Sequence, residues 1–329
     1  MCMKVYSATD IGQIRKMNQD FIFVSSEPVG NLPNLFVVAD GMGGHNAGDY
    51  ASRYGVGVLT ETIREDHNFN PVRIMRAGIE AANKAVLAKS QSDPELKGMG
   101  STMVVATVVG GYLFVANVGD SRLYLAGEAF RQITHDHSLI AEMVRLGELT
   151  PEEGMNHPDR NIITRAIGTT EEVKIDFFDV KLENGDCFMM CSDGLYNMVE
   201  GSVIYKVLCD HEVKDKAEKL VELANAGGGL DNIAVVVVEP YTADEPLPED
   251  AGLNADTQPA ADTEDAQPAA DAAEEGTAAD HDSGESVEQE TPVSSDPGNK
   301  GENADEAAAG EDTAEETDDD QAGPETGRN

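Results

Sequence analysis

The sequence lacks the features that mark several large protein classes. Tryptophan is absent, and the four cysteines, Cys2, Cys187, Cys191 and Cys209, have neither disulfide nor zinc spacing. No apolar run approaches the roughly 20 residues of a membrane-spanning helix, and the first residues lack the apolar core of a signal peptide. These absences argue against a disulfide-rich, zinc-held or membrane protein, and we expect a reduced, cytoplasmic setting.

Basic residues are scarce, because 23 Lys and Arg stand against 62 Asp and Glu and give a formal net charge of −39. Nucleic-acid binding draws much of its free energy from basic groups that release counterions. Anionic membranes attract proteins through the same kind of basic cluster. The composition therefore argues against nucleic acid and against a membrane surface as partners.

Negative charge is concentrated in the C-terminal part of the chain. Residues 242–329 contain 28 acidic and two basic residues, a net charge of −26, and have no aromatic residue, Ile, Met or Cys. Such a segment cannot bury enough apolar surface to offset the entropy lost on ordering. We therefore predict a disordered acidic tail over 242–329. Residues 1–241, with a net charge of −13, are long enough for one domain with a sizeable core.

Hydrophobic patterning predicts an α+β domain. Apolar and β-branched runs predict strands at 35–39, 102–109, 112–118, 122–126, 129–134, 173–182, 187–191 and 233–238. Apolar residues at helical spacing predict helices at 47–65, 72–92, 202–209 and 214–226. Helices in consecutive pairs beside hairpin strands favour α+β layering over alternating βαβ units. The polar, turn-rich stretch 138–170 is typical of a functional segment.

Four aspartates lie at the ends of predicted strands or in adjoining turns. Asp20 follows Asn18-Gln19, Asp40 and Asp193 follow apolar runs, and Asp231 precedes the last one. A folded chain that gathers several carboxylates must neutralise them, and hard divalent cations with oxygen ligands are the usual partners. The sequence therefore predicts a Mg²⁺ or Mn²⁺ site built from residues far apart in the chain.

A glycine-rich turn, Asp40-Gly41-Met42-Gly43-Gly44-His45, follows the first of these strands. Its glycines permit a tight turn and a close approach of the backbone to a ligand. A dinucleotide fingerprint fails, because the sixth position from Gly41 is Asn46 and Asp40 would repel a pyrophosphate. A Walker A loop fails because no Gly-Lys-Ser/Thr follows. Taken alone, the segment remains open to interpretation as an ordinary turn.

Two further residues extend the candidate site. Arg15 lies five residues before Asp20, and its guanidinium suits bidentate binding of phosphate. An exposed arginine without a role is the alternative. Asp120 lies between two predicted strands and is a further candidate ligand, with an ordinary turn aspartate as the alternative.

In combination, these segments resemble the metal-dependent protein phosphatase family known as PP2C, and bacterial members most closely. The resemblance extends over residues 5–239. The segments that carry it are Gly12-Gln13-Ile14-Arg15, Asn18-Gln19-Asp20, Asp40-Gly41-Met42-Gly43-Gly44-His45, Gly100-Ser101-Thr102, Gly119-Asp120-Ser121-Arg122, His157-Pro158 with Asn161, Thr164-Arg165-Ala166-Ile167-Gly168, Ser192-Asp193-Gly194-Leu195 and Asp231-Asn232-Ile233.

The resemblance implies a four-layer αββα sandwich, in which two antiparallel sheets lie between helix pairs, with two Mn²⁺ or Mg²⁺ ions at one end. The metal residues that it implies are Asp20, Asp40, Gly41 through its carbonyl, Asp193 and Asp231, with Asp120 and Asp193 at a third, weaker position. Arg15 matches the phosphate-binding arginine, and 138–170 matches a mobile flap. For His45, which does not directly follow Gly41, proton donation and substrate orientation both stay open.

The resemblance also implies the activity of a protein serine/threonine phosphatase. In two-metal chemistry, a water held between the ions attacks phosphorus in line, and no phosphoenzyme forms. The implied partners are phosphoproteins and a Ser/Thr protein kinase that the enzyme opposes, and we expect a monomer. A catalytically silent binding module of the same fold and an acidic cation buffer are the alternatives. The presence of all five aspartates favours the enzyme.

Overall fold

Two antiparallel β-sheets form the centre of the fold in the computed structural model, which describes residues 3–44, 46–155 and 157–241. His45 and the predicted tail over 242–329 lie outside the described residues. The strands are β1 Lys4–Asp10, β2 Asp20–Ser25, β3 Leu35–Met42, β4 Gly100–Ser101, β5 Met103–Val109, β6 Tyr112–Val118, β7 Arg122–Ala126, β8 Phe130–Gln132, β9 Asp176–Lys181, β10 Cys187–Cys191 and β11 Ile233–Glu239.

One sheet has the strand order β1-β11-β10-β7-β8, and the other has the order β2-β3-β5-β6-β9, with β4 paired to β3. The helices are α1 Ala47–Glu65, α2 Pro71–Ser92, α3 Leu139–Arg145, α4 Pro151–Met155, α5 Asp193–Tyr196, α6 Gly201–Cys209 and α7 Lys216–Ala226, with a short 3₁₀ turn at Pro94–Leu96. None of the helices in the described ranges is long and apolar enough to cross a membrane.

Alternating side chains of β3 show how the layers stack. Leu35 and Val37 point into a core formed with α1 and α2, whereas Phe36 and Val38 point into a core between the two sheets. A third core lies between β10 and β11 on one side and α6 and α7 on the other. Because β3 is buried on both faces, it reads as a continuous apolar run. These three cores confirm the four-layer αββα arrangement.

The strands that sequence patterning missed are β1, β2 and β4. Strands β1 and β2 lie at the first positions of their sheets, and most of their residues are half-buried, so neither contains a run of fully buried apolar residues. For α1, helical spacing predicts an apolar face through Ala51, Tyr54, Val58, Leu59 and Thr62, and the structure buries Ala51 and Leu59 but not Tyr54. Tyr54 is 36% exposed, while the buried stripe passes through Gly55, Leu59 and Ile63.

The strand register brings distant parts of the chain to one end of the sandwich. Asp20, the first residue of β2, is paired with Asp40 near the end of β3. In the other sheet the last residue of β10, Cys191, is paired with Val235 close to the start of β11. Strand β6 also ends on this side, where Met103 at the start of β5 faces Val118. Every segment that carries a candidate ligand therefore reaches the same end.

Candidate metal centre

The first carboxylate of the site, Asp20, is buried at the start of β2 and is held from the opposite sheet. Its Oδ2 accepts a 2.6 Å hydrogen bond from Ser192 Oγ. The same hydroxyl accepts a 2.9 Å bond from the Ala234 N–H of β11. Ser192 thus joins the two sheets at the point where their carboxylates meet, and it leaves Asp20 Oδ1 free of this bond.

A chain of hydroxyl groups fixes the backbone of Asp40. Its N–H donates to Thr102 Oγ1 at 2.9 Å, and its carbonyl accepts from the Thr102 N–H at 2.8 Å and from Ser101 Oγ at 2.9 Å. Thr102 Oγ1 also lies 2.7 Å from Ser121 Oγ. These hydrogen bonds hold the N–H and the carbonyl of Asp40 in place. They therefore fix the position of its side chain without involving the carboxyl group.

The Gly41 carbonyl lies against the start of α1 because two glycines approach each other there. A Cβ added at Gly48 would lie 2.6 Å from Gly41 O and 2.5 Å from Gln19 Nε2. A Cβ added at Gly41 would lie 2.0 Å from Gly48 O. Real Cβ atoms essentially never come within 3.0 Å of such atoms. Both positions therefore require glycine, because a side chain at either one would displace the neighbouring backbone and with it the Gly41 carbonyl.

Asp193 and Asp120 are linked through the short helix α5. Asp193 is its first residue, and its Oδ2 accepts a 3.2 Å bond from Asn197 Nδ2. Tyr196, three residues on, donates its hydroxyl to the Asp120 carbonyl at 3.1 Å. The Arg122 guanidinium lies over the Tyr196 ring, 3.5 Å from its centroid. One turn of helix thus sets the spacing of two acidic residues that are distant in sequence.

Asp231 is partly exposed, and its neighbour Asn232 fixes the chain around it. Its Oδ2 forms a 2.7 Å ion pair with Arg15 Nη2, and its side chain is 30% exposed. Asn232 donates from Nδ2 to the carbonyls of Ile11 and Met17, both at 2.9 Å, and accepts from the Gln19 N–H at 2.9 Å. Asn232 therefore holds the β1–β2 loop, which includes Arg15, against this end of the sandwich.

Burial and mutual repulsion raise the pKa of four carboxyl groups in the cluster. Burial raises the pKa of Asp20 to about 7, against the opposing hydrogen bond from Ser192. Burial, reinforced by neighbouring aspartates, raises the pKa of Asp193 to about 8 and that of Asp120 to about 6. The pKa of Asp40 is also well above its ordinary value, because burial and repulsion from Asp20 both act on it. A nearby cation would reverse these shifts.

The donor atoms of the cluster fit a hard divalent cation. Asp20 Oδ1 and Asp193 Oδ1 are buried without a hydrogen-bond partner among the described residues. Buried acceptors without partners are costly and rare in proteins. In the described ranges no three His, Cys, Asp or Glu side chains alone form a metal-holding group. Mg²⁺ usually binds one or two carboxylates and keeps several waters, so carboxylates together with the Gly41 carbonyl suit it.

The segment 138–170 is fastened beside the cluster by His137. The Gly119 N–H donates to His137 Nδ1 at 3.0 Å, and His137 Nε2 lies 3.1 Å from Asp176 Oδ2. Arg165 Nη1 lies 3.1 Å from the same His137 Nε2. Arg165 Nη1 also donates to Asp176, at 2.9 Å. Gly119, which precedes Asp120, is thus hydrogen-bonded to His137, the residue directly before the segment 138–170.

The geometry described above brings six of the predicted metal-binding and phosphate-binding residues to one end of the sandwich, with Gly41 next to Asp40. The six are Arg15, Asp20, Asp40, Asp120, Asp193 and Asp231. His45 is outside the described residues. Sequence reasoning did not assign roles to the residues that position the cluster, which are Gly48, Thr102, His137, Ser192, Tyr196 and Asn232. Short-range signals existed for some, since Ser192 and Asn232 adjoin candidate aspartates. The function of Gly48 depends on a contact between two chain segments, which no local pattern shows.

Similarity to known proteins agrees with this geometry. A family model described as protein phosphatase 2C matches residues 14–222. The chain belongs to the protein phosphatase 2C family. It is 39% identical to the serine/threonine phosphatase stp of Listeria monocytogenes over 239 residues, which covers 70% of this chain and 93% of the relative.

Two solved structures of phosphatases have the same fold as this family member. The serine/threonine phosphatase of S. agalactiae is 40% identical, with a TM-score of 0.68, and the match covers 73% of this chain and all of the other. The catalytic domain of the phosphatase PstP, solved in complex with two manganese ions, is 32% identical, with a TM-score of 0.64, and the match covers 73% and 99%. The protein is thus a protein serine/threonine phosphatase that depends on Mn²⁺ or Mg²⁺ and acts on phosphoproteins.

Proposed function

We propose that this phosphatase holds its cations with the cluster at one end of the sandwich. The proposed ligands are Asp20, Asp40, the Gly41 carbonyl, Asp193 and Asp231, with Asp120 and Asp193 at a third position. The observation that carries the proposal is a pair of buried oxygens, Asp20 Oδ1 and Asp193 Oδ1, that have no hydrogen-bond partner in the part of the chain that the structure describes. They lie within a group of carboxyls of raised pKa. This arrangement destabilises the protein unless positive charge is bound there.

The residues of the chain supply positioning and charge for hydrolysis of a phosphoserine or phosphothreonine. The cations that these residues would hold would supply an activated water for in-line attack on phosphorus. Ser192 and Thr102 keep Asp20 and the Asp40 backbone fixed, so little reorganisation is needed during the reaction. The two buried cysteines are poor candidates for a nucleophile, because burial raises the pKa of the Cys187 thiol to about 12 and also raises that of Cys191.

Arg15 is proposed to bind the phosphoryl group. It is paired with Asp231, but its side chain is 51% exposed, and a guanidinium has five donors of which this ion pair uses one. When cations neutralise Asp231, the attraction between the two side chains weakens. The guanidinium then becomes available to the equatorial phosphoryl oxygens, which develop charge in the transition state. His45 keeps the two roles that sequence reasoning left open.

We further propose a cytoplasmic monomer that opposes a Ser/Thr protein kinase. All proposed ligands belong to one chain, so a second copy is not needed to complete the site. The three described cysteines are free, and two of them are buried, which suits a reducing compartment. A protein phosphatase acts on phosphoproteins that a protein kinase has produced. The proposed partner is therefore a kinase that phosphorylates serine and threonine.

The proposed domain boundary follows Tyr241. Strand β11 ends at Glu239, and Tyr241 is buried against the core between the sheets. The composition of residues 242–329 then changes to Ala, Asp, Glu, Thr, Gly and Pro. We propose a phosphatase domain over 1–241 and an acidic tail over 242–329.

The test is hydrolysis of a phosphothreonine peptide by the purified full-length chain with Mn²⁺, with Mg²⁺ and after EDTA. We expect activity with either cation, loss of activity with EDTA and recovery when Mn²⁺ is restored. Tight peptide binding without hydrolysis at any Mn²⁺ concentration would instead support the silent binding module. Full activity in metal-free buffer would contradict the proposed cation site.

A further inference from the structure

Large apolar side chains are exposed around Arg15, on two loops that adjoin the carboxylate cluster. Ile14 is 64% exposed and Leu230 is 52% exposed, although such residues normally avoid water when a core is available. We name this surface the apolar rim. Its members are Ile11, Ile14, Met17 and Leu230.

Ile14 and Leu230 lie side by side because their neighbours are cross-linked. The residues that precede them are joined by a 2.7 Å hydrogen bond from the Gln13 N–H to the Gly229 carbonyl. The residues that follow them form the 2.7 Å ion pair described above. Both apolar residues therefore lie between the same two links, on the side of the loops that faces solvent.

The loop that carries most of the rim is fixed to the domain. Gly12 has a φ of +79°, and a Cβ there would lie 2.2 Å from the Asp231 carbonyl oxygen. Asn232 binds the carbonyls of Ile11 and Met17, as described above. The residues of the apolar rim on this loop are therefore exposed although the backbone of the loop is fixed to the domain. The backbone that carries these side chains is already held in place before a partner arrives, which lowers the entropic cost of binding.

Position and charge define the occupant of the rim. Arg15 lies directly after Ile14, so a phosphoryl group bound to it would bring the flanking residues of its peptide onto these side chains. The carboxylates close by and the charge of −13 on residues 1–241 would repel acidic flanking residues. Apolar flanking residues avoid that repulsion and gain by leaving water against exposed apolar surface.

We propose that the apolar rim selects phosphoserine and phosphothreonine segments that carry an apolar side chain about two residues from the phosphorylated one. In an extended peptide, side chains two positions apart lie on the same face, so these residues point towards the enzyme together with the phosphorylated residue. This inference rests on the proposed function, because it takes the cluster beside Arg15 as the place of hydrolysis.

The test uses the full-length chain with Mn²⁺ and matched phosphothreonine peptides that differ only at the two positions two residues away. One peptide has Leu there, one has Ser and one has Asp. We expect kcat/KM for the Leu peptide to exceed that for the Ser peptide by about tenfold, and the Asp peptide to be the poorest substrate.

Single substitutions then assign the preference to the rim. Ile14→Ser and Leu230→Ser should each lower the Leu-to-Ser ratio of kcat/KM to about a third of its wild-type value or less. Phe69→Ser is the matched control. Phe69 is 80% exposed, but it lies in the loop after α1, at the opposite end of that helix from the cluster. The ratio should be unchanged in this variant.

Three results would overturn this inference and leave the proposed function intact. Equal kcat/KM values for the Leu and Ser peptides would show that the enzyme does not select apolar flanks. A wild-type preference that survives in both rim variants would place the selection elsewhere. A sedimentation shift from dimer to monomer in the rim variants, with an unaltered peptide ratio, would make the rim a self-association surface. Absence of hydrolysis of every peptide with Mn²⁺ would overturn the proposed function itself, together with this inference.

Discussion

The two ends of the β-sandwich treat acidic side chains differently. At the turn end, where β9 leads into β10, Asp186 Oδ2 accepts a 2.8 Å hydrogen bond from the Glu183 N–H. In the α1–α2 loop at the same end, Asp66 Oδ1 accepts a 2.7 Å bond from the Asn68 N–H. At the carboxylate end, defined by the five clustered aspartates, buried oxygens of Asp20 and Asp193 lack any such partner in the described chain.

We interpret the difference as one between carboxylates that stabilise turns and carboxylates that serve the proposed cation site. Aspartates at the turn end accept hydrogen bonds from nearby backbone groups, as turn aspartates commonly do. Aspartates at the carboxylate end are partly or fully buried and repel one another, which costs free energy of folding. The clustered aspartates thus interact in a way that opposes folding. Proteins usually keep such an arrangement where they bind a ligand or catalyse a reaction.

Removal of one carboxylate charge should have the largest effect on activity, and only when the carboxylate lies at the carboxylate end. Asp40→Asn and Asp193→Asn should each lower kcat/KM for a phosphothreonine peptide by about 100-fold or more, because cation ligands and charge are lost. Asp186→Asn is the matched control and should keep near-wild-type activity. Circular dichroism should show that all three variants are folded. Equal losses in the three variants would remove the distinction between the two ends.

A methyl group on one glycine of α1 should have the next largest effect. Gly48→Ala places a Cβ 2.6 Å from the Gly41 carbonyl oxygen, so we expect displacement of that carbonyl and a 10- to 100-fold fall in kcat, roughly the cost of a 1 Å misplacement. Gly57→Ala in the same helix meets nothing within 4 Å. It should keep full activity and gain up to about 1 kcal/mol of stability. Unchanged kcat in Gly48→Ala would contradict a role for this carbonyl.

Loss of the Arg15 guanidinium should affect phosphate more than metal. Arg15→Ala should raise the inhibition constant for inorganic phosphate by about tenfold, since charge-assisted hydrogen bonds to phosphate disappear. The Mn²⁺ concentration for half-maximal activity should change little. Arg64→Ala is the control, because Arg64 is equally exposed but lies in the last turn of α1, at the turn end. An unaltered phosphate inhibition constant in Arg15→Ala would remove its proposed role.

Acidic residues at the carboxylate end should make the metal-free protein sensitive to pH. Folding raises the pKa of Asp120, Asp20 and Asp193 to about 6, 7 and 8, from an ordinary value of 3.8. The neutral forms are favoured in the folded state, so stability is full below about pH 4 and falls as pH rises through 6 to 8. The melting temperature in EDTA should therefore fall by roughly 10 °C or more between pH 5.5 and 8.5.

Excess Mn²⁺ should abolish this pH dependence by binding the ionised carboxylates. The stabilisation that Mn²⁺ gives should consequently be larger at pH 8 than at pH 6, because fewer protons compete for the same oxygens. A metal-free melting temperature that rises over this pH range would show that the carboxylates are already ionised and neutralised by other groups.

Removal of residues 242–329 should have the smallest effect. A chain that ends at Tyr241 should melt within a few degrees of the full chain, because the removed segment has too few apolar residues to form a core. At low salt it should show a lower KM for acidic phosphopeptides, and the difference should shrink as the Debye length falls to about 8 Å. A large loss of thermal stability would place the domain boundary elsewhere.

Sequence reasoning identified the central strands and the four long helices because burial on both faces or along one stripe leaves a strong pattern. Strand β10 begins and ends at the predicted residues, Cys187 and Cys191. Edge strands such as β1 were missed, since half-buried residues give weak periodicity. The candidate ligands were identified from motif combination. Their positioning by Ser192 and Tyr196 depends on contacts between distant segments, which a linear sequence does not reveal.

Anomalous X-ray diffraction from crystals grown with Mn²⁺ would test the metal centre most directly. We expect at least two anomalous peaks at the carboxylate end, within coordination distance of the Asp40 carboxylate and the Gly41 carbonyl, with Asp193 and Asp231 around them. The Asp193→Asn variant should lose or weaken one of these peaks. Mn²⁺ bound only elsewhere, for example beside the acidic residues Glu80 and Glu171, would contradict the assignment of the cluster as the catalytic metal site.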